Sequence, residues 1–332
     1  MAGGRFPWTP LFRLLLGLAL MAFLARSIGI RNLQAAVVPA RAHPAWIAAA
    51  LALTFAALFA GAVRWHLILR AMDLPTPFSR TYRGFFIGQF FNAFLFGACG
   101  GDLARAVVAA HDHSEKRAEA VASVFLDRAI GLVVTLFCGC AMILPRIRIF
   151  AGHEEARLAL VLMGIFFLAV LAFIALFFAR NLFERIPGLR RRGRIGPLLH
   201  RAYDALFLFR RNVRHLFWPA ILSVANLLLL AAATAALARA LDISIAFPHL
   251  LAVFPVVTVL AAIPLTPGSL GVREGLYVQL LHPFGIPPGS ALMLSLLGYL
   301  AASFWSFHGA LFFLRRARTV PGRPGNPEPS QP

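Results

Sequence analysis

Long apolar runs, separated by short clusters of arginine, set the pattern of this chain. Six runs, at 10–27, 45–65, 121–144, 158–179, 218–237 and 290–314, are predominantly apolar. Each is close to the roughly 20 residues a helix needs to cross the hydrocarbon of a bilayer. None shows the two-residue alternation or the regular turn signals of a membrane barrel, so the pattern predicts helices throughout. Two further stretches are short and interrupted. The first, 85–99, runs straight into Gly100, Gly101, Asp102 and Arg105. The second, 250–265, is broken by Pro255, Pro264 and Pro267 and then by Gly268 and Gly271, before a brief segment ending near Leu281.

Arginine placement decides whether the interrupted stretches cross, because Lys and Arg near span ends mark the cytoplasmic side. With both stretches re-entrant and the chain starting in the cytoplasm, segments 1–9, 68–84, 99–120, 180–216 and 315–332 are cytoplasmic and carry 21 Lys/Arg. The opposite loops, 31–44, 145–157 and 239–248, carry six. A single crossing at 85–99 would instead export the loop at 180–214, which holds ten arginines. The predicted fold is therefore an all-α polytopic membrane protein with about six full transmembrane helices and two re-entrant hairpins, both termini cytoplasmic, in the cytoplasmic (inner) membrane. Under this topology the halves 10–144 and 158–314 mirror one another, the arrangement of inverted-repeat transporters, in which interrupted segments at matching places point to the binding site. The supporting similarity is slight, Gly101-Asp102-Leu103 with Arg105 against Gly268-Ser269-Leu270 with Arg273.

The organisation that follows is a single membrane domain over 1–318. Within it, 198–217 places Leu198, Ala202, Leu206, Phe209, Val213 and Phe217 at helical spacing, with Arg201, Arg211 and Arg214 elsewhere on the wheel. That is the pattern of an interfacial amphipathic helix. Residues 319–332 are rich in Pro and Gly and read as a disordered tail. The apolar run after Arg5 reads as a retained helix rather than a signal peptide, because further spans follow it.

Composition agrees with this picture. Of 332 residues 60% are hydrophobic and only 14% charged, and mean hydropathy is +0.76. The excess of 32 Lys+Arg over 13 Asp+Glu raises nucleic acid as a partner. Lys116 is the one lysine, and the arginines sit mostly in short loops between apolar runs, which fits topology and anionic headgroups and excludes a nucleic-acid face. Cys99, Cys138 and Cys140 form no CxxC pair and lie in or at apolar segments, as small buried hydrophobes do.

Candidate chemistry gathers where the backbone must break. Non-helical backbone at membrane depth has to sit inside protein or line a wet cavity. In the second stretch the prolines end one half-helix, Gly268 and Gly271 allow a tight turn, and a new helix is expected near Ser269. Its free N–H groups suit a lipid phosphate, and Arg273 in the first turn adds a charged fork. Glu274 either balances Arg273 within the fold or takes a proton during transport. The first stretch offers Asn92, Asp102 and Arg105, with Asp102 a plausible N-cap for a helix from Leu103. Charges within spans are costly and so are candidates by default. Arg64 stands near the end of its span, where snorkelling alone would explain it. Asp127 and Arg128 lie deeper. Being adjacent they cannot share a helix face, so each requires its own partner, with Arg105 or Arg273 available to Asp127. No motif for metal or nucleophilic catalysis appears, and no cofactor is expected.

Three places resemble a family of flippase-like integral membrane proteins named after the transmembrane region of lysylphosphatidylglycerol synthetase. They are Asn92 with Gly100-Gly101-Asp102-Leu103 and Arg105, then Ala122-Ser123-Val124 with Asp127-Arg128, then Pro264, Thr266-Pro267-Gly268 and Gly271-Val272-Arg273-Glu274-Gly275. The first departs from the usual pattern at Phe96 and Ala98, where a proline and an arginine are usual. The resemblance implies binding or translocation of a phosphate-bearing or polyprenyl-phosphate-linked lipid. In the larger synthetases a soluble aminoacyltransferase domain follows and performs the chemistry. The expectation here is a transporter and not a synthetase. The alternatives are a membrane-embedded enzyme, which would need Glu274 within reach of a histidine, and a non-transporting partner of a lipid-modifying enzyme. A homo-oligomer is compatible with each.

Overall fold

The computed structural model describes residues 26, 30–94, 100–179, 214–262, 266 and 269–319. The apolar run at 10–27, most of the amphipathic stretch at 198–217, Phe96, Ala98, Gly268 and the tail from 320 onward lie outside the described residues. Among the described residues the elements are helices: α1 (Ile30–Ala42), α2 (Pro44–Ala71), α3 (Phe78–Phe94), α4 (Gly100–Asp112), α5 (Arg117–Ile143), α6 (Ile147–Ala151), α7 (Glu154–Ala179), α8 (Arg214–Ala240), α9 (Phe247–Ala261), α10 (Val272–Leu281) and α11 (Pro288–Thr319).

Four stretches, Pro44–Ala71, Arg117–Ala151, Arg214–Ala240 and Pro288–Arg315, are long and apolar enough to cross a membrane. Only 17% to 39% of the residues in their most apolar windows are buried, so most of these residues keep some apolar surface open to the outside. Along α7, Leu158, Val161, Leu162, Ile165 and Leu168 are likewise exposed. Water does not tolerate apolar surface on this scale and lipid does, so the molecule is a multi-pass membrane protein. The 15-residue α9 is too short to cross alone. Pro255 does not break α9, contrary to the expectation from sequence. It lies buried inside the helix, where neighbouring helices support the backbone.

The order span, short helix, break, short helix, span occurs twice, in α2–α5 and in α8–α11, and the two copies share details. Arg70-Ala71-Met72-Asp73-Leu74 at the end of α2 is matched by Arg239-Ala240-Leu241-Asp242-Ile243 at the end of α8. Asp73 and Asp242 both adopt left-handed backbone, at φ 52° and 55°. In each turn the amide three residues past the helix reaches back five positions, Leu74 to the Leu69 carbonyl and Ile243 to the Ala238 carbonyl. This is the αL stop by which a helix satisfies its last carbonyls, and Asp tolerates the conformation better than most residues.

The copies run in opposite directions. His43 Nε2, before α2, meets Asp242 Oδ1, after α8, at 3.2 Å. Arg239 stacks over Trp46, the Asn226 amide donates to the Ala57 carbonyl, and Arg64 donates to Ser223. Residue numbers rise along α2 as they fall along α8, so the two helices are antiparallel and the repeat is inverted.

Each copy also seats its first short helix on the other copy's last span. Gly139 of α5 lies against Pro255 of α9, and a Cβ there would stand 2.7 Å from the proline Cβ. Gly309 of α11 lies against Phe86 of α3, where a Cβ would collide with the Phe86 carbonyl. Only glycine permits either approach. Gly139→Ala and Gly309→Ala are expected to destabilise the protein by about 1–3 kcal/mol each through overpacking. Gly164→Ala, where nothing lies within 4 Å, should be neutral or slightly stabilising. Thermal unfolding in detergent compares them, and equal midpoints for all three would remove the interlock.

Candidate functional site

The first break is held by a carboxylate on α5. Asp127 is buried, and both its oxygens are taken by guanidinium groups from other helices. Arg64 Nε on α2 donates to Oδ1 at 2.7 Å and Arg105 Nη2 on α4 donates to Oδ2 at 3.0 Å. Arg64 continues across the repeat boundary, donating from Nη1 to Ser223 Oγ on α8 at 2.9 Å. The Arg105 guanidinium lies over Trp65, 4.3 Å from the ring centroid, and over Phe85 at 5.0 Å. Such contacts between a cation and aromatic faces strengthen when desolvated. Trp65 is fixed by a hydrogen bond from its indole N–H to Ser123 Oγ at 3.2 Å. Arg105 Nε is buried without a hydrogen-bond partner.

Two expectations are corrected here. Arg64 does not snorkel toward an interface. Its side chain is 12% exposed and bends inward, because Asp127 would otherwise be left with one partner. Asp102 is not an N-cap. Helix α4 already begins at Gly100, and the Asn92 side-chain oxygen accepts the Gly101 amide at 2.9 Å instead. A Cβ at Gly101 would collide with Asn92 and the Gly88 carbonyl, so the two short helices touch at this point. Freed from capping, Asp102 accepts from Arg128 Nε at 2.9 Å, with Arg105 Nη1 at 3.8 Å. Asp127 and Arg128, adjacent in sequence, thus have separate partners.

The second break ends at Gly271, whose φ of 84° no L side chain adopts easily. Gly271 is the N-cap of α10, so the helix starts at Val272 and not near Ser269. Ser269 instead closes the turn, donating to the Ala261 carbonyl, while Thr266 Oγ1 donates to the Leu270 carbonyl at 2.8 Å. Glu274 is wholly buried. Its Oε2 accepts the Gly271 amide at 2.6 Å, and its Oε1 accepts from Arg273 Nη2 at 2.6 Å and Ser295 Oγ at 3.0 Å. Arg273 Nε also donates to Ser295 Oγ at 3.1 Å. None of these partners of Glu274 is a histidine.

The two breaks meet at a residue that sequence reasoning passed over. Arg273 lies over the ring of Tyr299 on α11, 4.8 Å from its centroid. The Tyr299 hydroxyl donates to the carbonyl of Ala93, next to last in α3, at 2.6 Å. One ring therefore touches the second hairpin with its face and the first with its hydroxyl. The inverted repeat also equates Arg105 on Asp127 with Arg273 on Ser295, since 105 to 273 and 127 to 295 are the same step along the chain. Residue 131 becomes the counterpart of Tyr299 and is glycine, which leaves room for Arg64. The halves therefore share a frame and differ in charge, two arginines on one aspartate in the first and one arginine beside one glutamate in the second. Trp65, Ser223, Ser295 and Tyr299 were missed because a lone serine or aromatic in an apolar run reads as packing.

A family model described as lysylphosphatidylglycerol synthase TM region matches residues 11–307. Comparison with curated proteins gives no match.

Proposed function

This chain belongs to the lysylphosphatidylglycerol synthase TM region family, and from that premise we propose that it binds a phosphate-bearing lipid and moves it between leaflets. It acts in this reading as a transporter in the inner membrane, without a cofactor, and not as an enzyme. The observation that carries the reading is the meeting of two oppositely oriented broken hairpins at Tyr299, with an arginine network on each side. Inverted-repeat transporters place their substrate at such a junction. Arg273 presents the planar fork suited to a phosphate, and its side chain is partly open while Glu274 behind it is sealed. Arg64, Arg105 and Asp127 brace the other hairpin from within, and Arg128 stands open beside them.

Reconstitution with fluorescent phospholipids tests this, by following the label that becomes accessible to an external quencher. Wild type should equilibrate the leaflets. Arg273→Lys keeps the charge that compensates Glu274 and loses the fork, and should slow exchange about tenfold or more, a loss of roughly 1.4 kcal/mol or above. Full exchange by both Arg273→Lys and Arg273→Ala would take the headgroup role away from this residue.

A further inference from the structure

One pair in the network does not face inward. The Arg128 side chain is 51% exposed, and its ion pair with Asp102 opens outward between α4 and α5. The residues around it are apolar and exposed, Leu103 and Val107 on α4, Val121 and Phe125 on α5. Val121, Phe125 and Arg128 follow at helical spacing on one face of α5, and Leu103 and Val107, four apart, form the exposed face of α4 next to that of Asp102. Asp102 stands at the inner end of α4. Ten residues of helix separate it from Asp112, about 15 Å at 1.5 Å per residue, half the depth of a hydrocarbon core. Snorkelling does not describe Arg128, which turns sideways to the tip of the hairpin. A half-exposed charge pair beside a surface fit for lipid tails is a place where a charged headgroup can be met.

We infer that the seam between α4 and α5 is a lateral binding groove for a phospholipid, in which the headgroup phosphodiester takes the place of Asp102 at the Arg128 guanidinium while the tails stay in the bilayer against Leu103, Val107, Val121 and Phe125. The exchange trades one negative charge for one, which suits a phosphodiester and not a dianionic phosphomonoester. Asp102 remains beside Arg105, 3.8 Å away, when Arg128 turns to the phosphate. Because the groove opens to the membrane, it selects the headgroup link and is indifferent to the tails. This rests on the lipid-handling role proposed above and adds to it where the lipid enters and which charge class is taken.

The test uses the full chain in vesicles containing phosphatidylglycerol with a photoactivatable diazirine near the headgroup, and mass spectrometry of the labelled peptides. Wild type should be labelled at 102–107 and 121–128 well above the bare apolar face of α7 around Val161 and Ile165. Arg128→Gln should lower the seam labelling about tenfold, as loss of a charge-assisted hydrogen bond does, and leave α7 unchanged. Unlabelled short-chain phosphatidylglycerol should compete at the seam of wild type, whereas short-chain phosphatidate and diacylglycerol should compete weakly. Labelling no stronger at the seam than on α7, or competition by diacylglycerol equal to that by phosphatidylglycerol, overturns the proposal. Should Arg128→Gln fail to fold, the α7 signal shifts with it and the wild-type competition decides. Seam labelling in a protein that moves no lipid would sink the transport reading and leave the groove standing.

Discussion

Asp127→Ala is expected to abolish the native helix packing in detergent, with the largest loss of any single substitution in the first hairpin. The change removes the acceptor of two guanidinium groups at once, Arg64 and Arg105, and both lie where water cannot replace it. Removing one partner of a buried ion pair costs about 3–5 kcal/mol, and here two cations lose the carboxylate they share. A whole domain is stable by only about 5–15 kcal/mol. Arg64→Met should cost less, because Arg105 still neutralises the aspartate. Thermal unfolding and size-exclusion profiles report both, and an Asp127→Ala protein that elutes and melts like wild type would mean that packing alone holds the hairpin.

The second large effect is expected at Glu274, and its sign depends on what happens to Arg273. Glu274→Ala strands Arg273 and unties the Gly271 amide and the Ser295 hydroxyl together, for a loss of about 3–5 kcal/mol. Glu274→Gln keeps the shape and one of the two acceptor oxygens, so it should lose less than Glu274→Ala. The double variant Arg273→Met with Glu274→Leu should regain much of the stability, since an apolar pair of similar volume often replaces a buried salt bridge at little cost. It should still transport no lipid. If stability and transport fell and recovered together across the three variants, the pair would be only a structural fastening.

The membrane architecture was legible because hydropathy and arginine placement act over whole segments. Twenty apolar residues signal a span whatever their order, and the runs at 45–65, 121–144, 218–237 and 290–314 fall on α2, α5, α8 and α11. Both hairpins were visible for the same reason, in that glycine and proline interrupt such runs. What was not legible is which charges face one another. Arg64 looked like a residue free to reach an interface, since its partner is 63 positions away. Asp102 looked like a cap because a carboxylate near a helix start usually is one, and nothing local shows that Asn92 already fills that place. The repeat lay in plain sight at Arg70–Leu74 and Arg239–Ile243 rather than in the glycine motifs. A turn that needs a left-handed residue restricts the sequence more tightly than a loop lined by glycine does.

The crossed seating of the hairpins also bears on how the chain is made. α3 is among the first of these helices to leave the ribosome, yet Gly309, which receives it, belongs to the last. The bond from Tyr299 to Ala93 waits for the same helix. The opening half of the polypeptide therefore enters the bilayer with one flank of its hairpin uncovered, and synthesis of α11 supplies the cover for that flank and the final contacts of the second hairpin in a single step. Closure of the first hairpin therefore waits on the synthesis of α11.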